Sequence, residues 1–192
     1  FIFIISHFKN SNIVCAGSPL EFDILFNKVY KKNSINYFKV IDNTHGYKFK
    51  KNQIKFGKGI KISKGDITVI CFGFMLNRVI KVQKVLEKLN IKLEILYFHT
   101  LKPLDKKLII MSLKKTRKCL VIDELSSSGG LTDKISRIIV DNSSLKQTKL
   151  VSISIENFIH YYGEYDQILD KIGFSLKNII NKIKKLNLKS RQ

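Results

Sequence analysis

Residues 64–130 read KGDITVICFGFMLNRVIKVQKVLEKLNIKLEILYFHTLKPLDKKLIIMSLKKTRKCLVIDELSSSGG, and their pattern decides the fold. Asp66 to Phe72 is short, apolar and rich in Ile, Val and Thr, as buried strands are. From Leu76 to Leu89 the apolar residues Val79, Val82, Leu86 and Leu89 recur at helical spacing. Leu93 to Phe98 reads as a second strand, Pro103 opens a helix to about Lys115, and Lys118 to Asp123 is strand again. The Ser/Gly loop Ser126 to Gly130 then leads into a helix from Leu131 to Val140. Strands alternating with helices of this length need crossovers, and crossovers give a parallel sheet covered on both faces.

Working outward, Leu150 to Ile155 is the last strand. Asn157 to Tyr165 is aromatic and irregular, and Gln167 to Ile172 is a short helix stopped by Gly173. Ser175 caps a final helix whose apolar stripe is Leu176, Ile179, Ile180, Ile183 and Leu186. On the other side, Phe56 to Ser63 reads as a strand. Only Lys64-Gly65 separates it from the next one, too short for a crossover, so this pair is expected to be antiparallel. The fold class is therefore α/β: three layers, α/β/α, around a mostly parallel five-stranded sheet with one antiparallel edge strand. Asp42 to Phe56 is polar and rich in Asn, Gly and Lys, as linkers are. Before it come apparent strands at Phe1 to Ser6, Asn12 to Ala16 and Ile35 to Ile41. The helix between the last two has Ser18 as N-cap and Pro19 in its first turn.

Charge is the outlier of the composition: Lys+Arg 35 against Asp+Glu 15, net +20. A basic nucleic-acid-binding module is one reading, and a salt-dependent shift of a nonspecific duplex would support it. The lysines are scattered along the chain, however, and arginines, which read bases, are few, so a solvated lysine surface explains the charge better. Cys15, Cys71 and Cys119 show no metal-ligand spacing and read as inert core thiols of a reducing, cytoplasmic compartment. No apolar run is long enough to span a bilayer, and FIFIIS lacks the flanks of a signal peptide. The chain opens on Phe1 rather than Met and is expected to begin inside a longer protein.

Candidate chemistry is sparse. Gly57-Lys58-Gly59 and Ser126 to Gly130 match neither dinucleotide nor Walker spacing. The second loop does lie at the carboxyl edge of the sheet, where open α/β folds place ligands. His7 and His160 read as surface residues and His99 as a structural one. Glu124 ends a strand beside the loop, a position suited to a functional carboxylate or to scaffold. No catalytic triad, metal cluster or carboxylate pair stands out.

A set of short motifs in order carries a resemblance: Gly65-Asp66-Ile67-Thr68-Val69, Gly73, Leu101-Lys102-Pro103-Leu104-Asp105, Ser112, Lys115-Thr116, Asp123-Glu124 and Gly129-Gly130, continued by Phe158, Gly163-Glu164 and Ile172-Gly173. This pattern resembles the C-terminal domain shared by transketolase, 1-deoxyxylulose-5-phosphate synthase and the beta subunits of 2-oxo acid dehydrogenases. More loosely, Ser18-Pro19-Leu20-Glu21 and the strand around Tyr37-Phe38-Lys39 resemble the end of the family's pyrimidine-binding domain. The resemblance implies residues 1–42 as the truncated tail of that domain, 43–55 as linker and 56–192 as the C-terminal domain.

It further implies an enzyme dependent on thiamine diphosphate and a divalent metal ion. In the family both are held by a Gly-Asp-Gly motif that this chain lacks, and the activating glutamate is expected upstream of Phe1. The chain alone is expected to be inactive, to lack catalytic residues, and to work as a homodimer or with the subunit that carries the diphosphate-binding domain. Ketol transfer between sugar phosphates is the leading expectation; the alternative is a 2-oxo acid dehydrogenase beta subunit. Lys39 and His45 are the implied substrate contacts, with Asp42 opposing a phosphate. The family places Glu124 in the scaffold near the domain interface.

Overall fold

A computed structural model describes residues 2–126 and 128–188. Phe1 and Ser127, part of two of the segments above, lie outside the described residues. The back half forms a five-stranded sheet in the order β3-β5-β4-β7-β8, built from β3 (Gly59–Lys61), β4 (Ile67–Phe72), β5 (Leu93–Phe98), β7 (Lys118–Ser126) and β8 (Lys149–Ile155). All neighbours pair in parallel except β3, which runs antiparallel along the edge. Helices α3 (Met75–Glu87), α4 (Lys106–Thr116) and α5 (Leu131–Val140) connect the parallel strands, and α7 (Leu176–Leu188) closes the chain.

Strand alternation sorts the core into two layers. Ile67, Val69 and Cys71 point to one face, where they pack with Val79, Val82, Leu86, Ile179 and Ile183 from α3 and α7. Ile70 and Phe72 point to the other, against Ile109, Leu113, Leu131 and Ile135 from α4 and α5. The sheet is thus covered on both sides, which is why its strands read as continuous apolar runs. Thr68, Glu94, Ser112 and Thr116 enter this core as polar residues and bond to one another. Thr68 Oγ1 lies 2.7 Å from both Ser112 Oγ and Thr116 Oγ1, and Ser112 donates to the buried Glu94 at 2.5 Å.

The front of the chain builds a second sheet, β2-β1-β6, from β1 (Ser11–Cys15), β2 (Ile35–Lys39) and β6 (Thr100–Lys102). β1 and β2 are parallel and joined by α2 (Pro19–Val29), whose N-cap Ser18 accepts from Glu21 N. β6 belongs by sequence to the back half but pairs antiparallel with β1. It is three residues long and carried no signal of its own.

Three expectations are corrected. The apolar opening is helix α1 (Ile2–His7), not a strand; a six-residue apolar run fits either, and here Ser6 and His7 bond back to the Phe3 carbonyl. β3 is antiparallel as expected, but its partner is β5 rather than β4, whose two edges are taken by β5 and β7. Residues 62–66 arch along β5 instead of turning back, with Ser63 Oγ donating to Leu93 O at 2.7 Å. Pro103 precedes its helix instead of opening it: α4 starts at Lys106, and Asp105 is the N-cap, accepting from Leu108 N.

The segment after β8 returns to the sheet through α6 (Tyr165–Leu169) and a wider turn at Asp170–Phe174 in which Gly173 adopts φ +99°. Arg78 of α3, 5% exposed, secures it: the guanidinium donates to Asp166, Asp170 and the Phe174 carbonyl. Replacing Arg78→Met is expected to lower stability by about 2 kcal/mol, the value of hydrogen bonds to a charged donor. Limited proteolysis followed by mass spectrometry should then cut first within 156–174 while the five strands stay protected.

Candidate functional site

The strand order reverses at β4: the chain steps to β5 on one side, then to β7 on the other. Crevices at such reversals, beyond the carboxyl ends of the strands, are where open α/β sheets bind ligands. Here the first sheet arrives at that place. Cys15 N donates to His99 O at 3.0 Å, and Gly17, just past β1, abuts Gly73, just past β4. A Cβ on Gly17 would lie 2.8 Å from the Gly73 backbone and 2.4 Å from the His45 ring, so only glycine permits this approach.

Two clusters of charge hold the junction. In the first, Glu21 is fully buried. Its Oε2 accepts from Gly17 N at 3.0 Å and from the Tyr97 hydroxyl at 2.6 Å, and its Oε1 lies 2.6 Å from His45 Nε2. His45 Nδ1 accepts from Tyr47 N at 2.9 Å, which leaves Nε2 as the protonated nitrogen donating to Glu21. Burial pushes the Glu21 carboxyl up, but the donors from His45, Tyr97 and Gly17 outweigh it and hold it below the usual range. The same bonds push the Tyr97 hydroxyl the other way, above a phenol's ordinary value, with burial the larger cause.

In the second, Lys39 at the end of β2 donates to Glu124 Oε1 at 2.7 Å, across the two sheets. Tyr165 donates to the same oxygen, and burial and the Glu124 charge raise its hydroxyl strongly. Beside them Asp123 is fully buried, with Oδ2 accepting from Thr132 N at 2.7 Å and Oδ1 without a hydrogen-bond partner. Burial raises its carboxyl to about 6.

A cleft of about 390 Å³ borders the first cluster at Gly17, lined by Ala16, Gly17, Pro19, Phe22, Ile41 and Thr44 among others. Asp42 is the charged residue of its described lining. Of the residues expected at substrate, Lys39 stands at this junction with its side chain 21% exposed, engaged by Glu124. His45 lies behind the cleft wall, its side chain fully buried and both ring nitrogens taken. Glu21, Tyr97 and Tyr165 were not read as site residues. Glu21 did carry a signal, since Ser18-x-x-Glu21 has the spacing of a capping box; Ser18 Oγ accepts from Glu21 N, while the carboxylate reaches one residue further, to Gly17 N.

Other candidates resolve simply. His99 is buried and its Nε2 lies 2.9 Å from Lys55 O, a structural role; burial lowers its pKa. His7 and His160 are exposed. The three cysteines are fully buried, and burial raises their thiols, Cys15 to about 12, so none is a poised nucleophile. Among the described residues no group of three or more His, Cys, Asp or Glu converges as metal ligands, and no helix is long and apolar enough to cross a membrane.

The family model described as "Transketolase, C-terminal domain" matches residues 57–179. The chain is 23% identical over 182 residues to the 1-deoxy-D-xylulose-5-phosphate synthase of Lachnoclostridium phytofermentans, which covers 93% of this chain and 29% of that protein. It is 25% identical over 138 residues to the acetoin:2,6-dichlorophenolindophenol oxidoreductase subunit beta of Cupriavidus necator, covering 69% of this chain and 41% of that one. Among solved structures, a split-gene transketolase described as an inactive beta4 tetramer superposes with a TM-score of 0.84 at 18% identity, over 96% of this chain and 60% of that chain. At that identity the likeness is one of fold. The chain spans less than half the length of these two curated relatives.

The junction generates two predictions. Tyr97→Phe removes one donor from buried Glu21 and is expected to cost about 1–3 kcal/mol in urea unfolding. Because the depressed Glu21 carboxyl contributes stability that is lost as pH falls through its folded pKa, the variant should also unfold at a higher pH on acid titration. Asp123 works in the opposite sense. Its folded pKa of about 6 lies above the reference 3.8, so its ionisation costs stability as pH rises through that window. Asp123→Asn should flatten the pH–stability curve there, removing a decline on the order of 2 to 3 kcal/mol.

Proposed function

The chain belongs to the family of transketolase C-terminal domains, and on that premise we propose that it is the C-terminal portion, or the separate small subunit, of a transketolase-like enzyme transferring two-carbon ketol units. The observation that carries this reading is the extent of the structural likeness. The split-gene transketolase chain superposes over 96% of this one, the front sheet included, rather than over residues 57–179 alone. Residues 1–42 then serve as the tail of a pyrimidine-binding domain, 43–55 as the connection and 56–192 as the C-terminal domain.

Thiamine diphosphate, bound in the complete enzyme, supplies the electron sink for such transfers. The residues present do not fit a site for its diphosphate or metal. The sequence has no Gly-Asp-Gly motif, and the buried carboxylate nearest the cleft, Glu21, has its oxygens occupied by donors from its own chain. No chemical step is therefore assigned to this chain. It joins the two sheets, lines the cleft and completes an assembly whose partner is a second copy or the subunit holding the diphosphate.

Lys39 presents a positive charge at the substrate approach. His45 acts indirectly, fixing the loop that carries Asp42 through Glu21 and through its own N–H bond to Gly17 O. A pyruvate dehydrogenase E1 component subunit beta of Rickettsia bellii, 33% identical over 88 residues and 45% of this chain, favours a second reading as a 2-oxo acid dehydrogenase beta subunit.

The chain alone should show no ketol transfer, as befits a fold shared with a tetramer described as inactive. Mixed with a partner carrying the Gly-Asp-Gly domain, cofactor and magnesium, it should restore transfer from a ketose donor, measured by a coupled assay. Decarboxylation of 2-oxo acids without ketol transfer would establish the second reading instead. Failure of any such partner to bind in gel filtration would count against both.

A further inference from the structure

On the face of the sheet opposite α3 and α7, an open groove of about 710 Å³ runs between α1, the Lys102–Pro103 turn, α4 and α5. Its walls are apolar, formed by Phe3, Leu101, Pro103, Leu104, Ile110 and Ile138. Its polar lining is dominated by cations: Lys102, Lys106, Lys134 and Arg137.

The charges in this groove do not balance. Arg137 is neutralised by Asp141 at 2.8 Å, and Asp133 accepts from Gly129 N while its charge attracts Lys134. Lys102 spends its three donors on neutral oxygens, Ser6 O, Phe8 O and Ser11 Oγ, so its hydrogen bonds are met but its charge is not. Lys106 and Lys134 make no hydrogen bond or ion pair among the described residues. Both also sit in the first turn of a helix, at the end where the helix dipole disfavours a cation. Burial, together with repulsion from Lys102 and Lys106, lowers the pKa of Lys134 despite the attraction of Asp123 and Asp133. A chain with net charge +20 has lysines to spare on its open surface. Four cations around one apolar groove face only two lining carboxylates, Asp133 and Asp141, an excess of positive charge that needs a different account.

We propose that this groove binds a small organic anion with an apolar body. Its carboxylate, sulfonate or phosphate lies between Lys106 and Lys134, and its hydrocarbon or ring lies on Leu104, Ile110 and Ile138. The anion would supply the negative charge that the chain withholds, and the walls would supply the hydrophobic contact. This site does not depend on the ketol-transfer reading and makes no use of the junction residues.

The probe is anilinonaphthalene sulfonate, titrated into the intact chain by fluorescence. Saturable binding with one site per chain is expected. The double variant Lys106→Glu/Lys134→Glu should weaken it by about tenfold or more, the loss of charge-assisted contacts. The exposed pair Lys184→Glu/Lys185→Glu on α7 changes net charge equally and should leave binding within about twofold. Uncharged anilinonaphthalene and inorganic phosphate should each bind at least about tenfold more weakly, since each lacks one half of the recognition. Equal weakening by the two double variants, or no saturable binding to the native chain, would overturn the proposal. Should the groove variant fail to fold, amide-shift mapping on the native chain decides instead: shifts confined to 2–8, 101–110 and 129–142 sustain the site, and shifts elsewhere remove it.

Discussion

A single buried carboxylate governs the arrangement of this chain. Glu21 sits in the first turn of α2 with no exposure to solvent, where an unpaired charge would be prohibitively costly. It is tolerated because three parts of the chain each bring a donor: Gly17 from the end of β1, Tyr97 from β5 and His45 from the segment between the sheets. None of the three could move without leaving a charge uncompensated. The register of the front sheet against the back one is therefore tied to the ionisation of one group.

The second link, Lys39 to Glu124, operates on different terms. It is partly exposed and so contributes less to stability than to direction. It draws the end of β2 onto the end of β7 at the point where the five-stranded order reverses, and Tyr165 brings the C-terminal segment to the same oxygen. The cleft is walled by Gly17, which bonds to Glu21, and by residues 40–44, which follow Lys39. A short contact between Gly17 and Gly73 brings the backbones of the two sheets together beneath it.

Other buried acids are handled less completely, and the contrast is informative. Glu94 is held by Ser112 and by Lys61 at 3.1 Å, yet one of its oxygens lacks a hydrogen bond. Asp123 has one oxygen satisfied by the first turn of α5 and one unpartnered, so burial prevails and its proton is held to about pH 6. Glu21 on α2 and Asp123 on β7 thus shift in opposite directions according to how many donors reach them.

Much of the fold was legible because it follows from local pattern. Apolar runs such as Ile67 to Phe72 and Leu93 to Phe98, spaced by helical periodicity, require crossovers and a covered parallel sheet, and the described structure has both. Ser18, Pro19 and Ser175 marked helix starts through chemistry that acts within four residues. What the residues alone did not reveal depends on partners distant in sequence. β6 is three residues whose strand character exists only because β1 lies alongside. β3 pairs with β5 because β4 has no free edge, a fact about the assembled sheet. His45 looked available to substrate from its place in a polar segment, whereas Tyr97 and Glu21, 52 and 24 positions away, enclose it. Periodicity and capping are short-range and can be read along a chain. Burial, strand partners and the charge state of a carboxylate are settled only when remote segments meet.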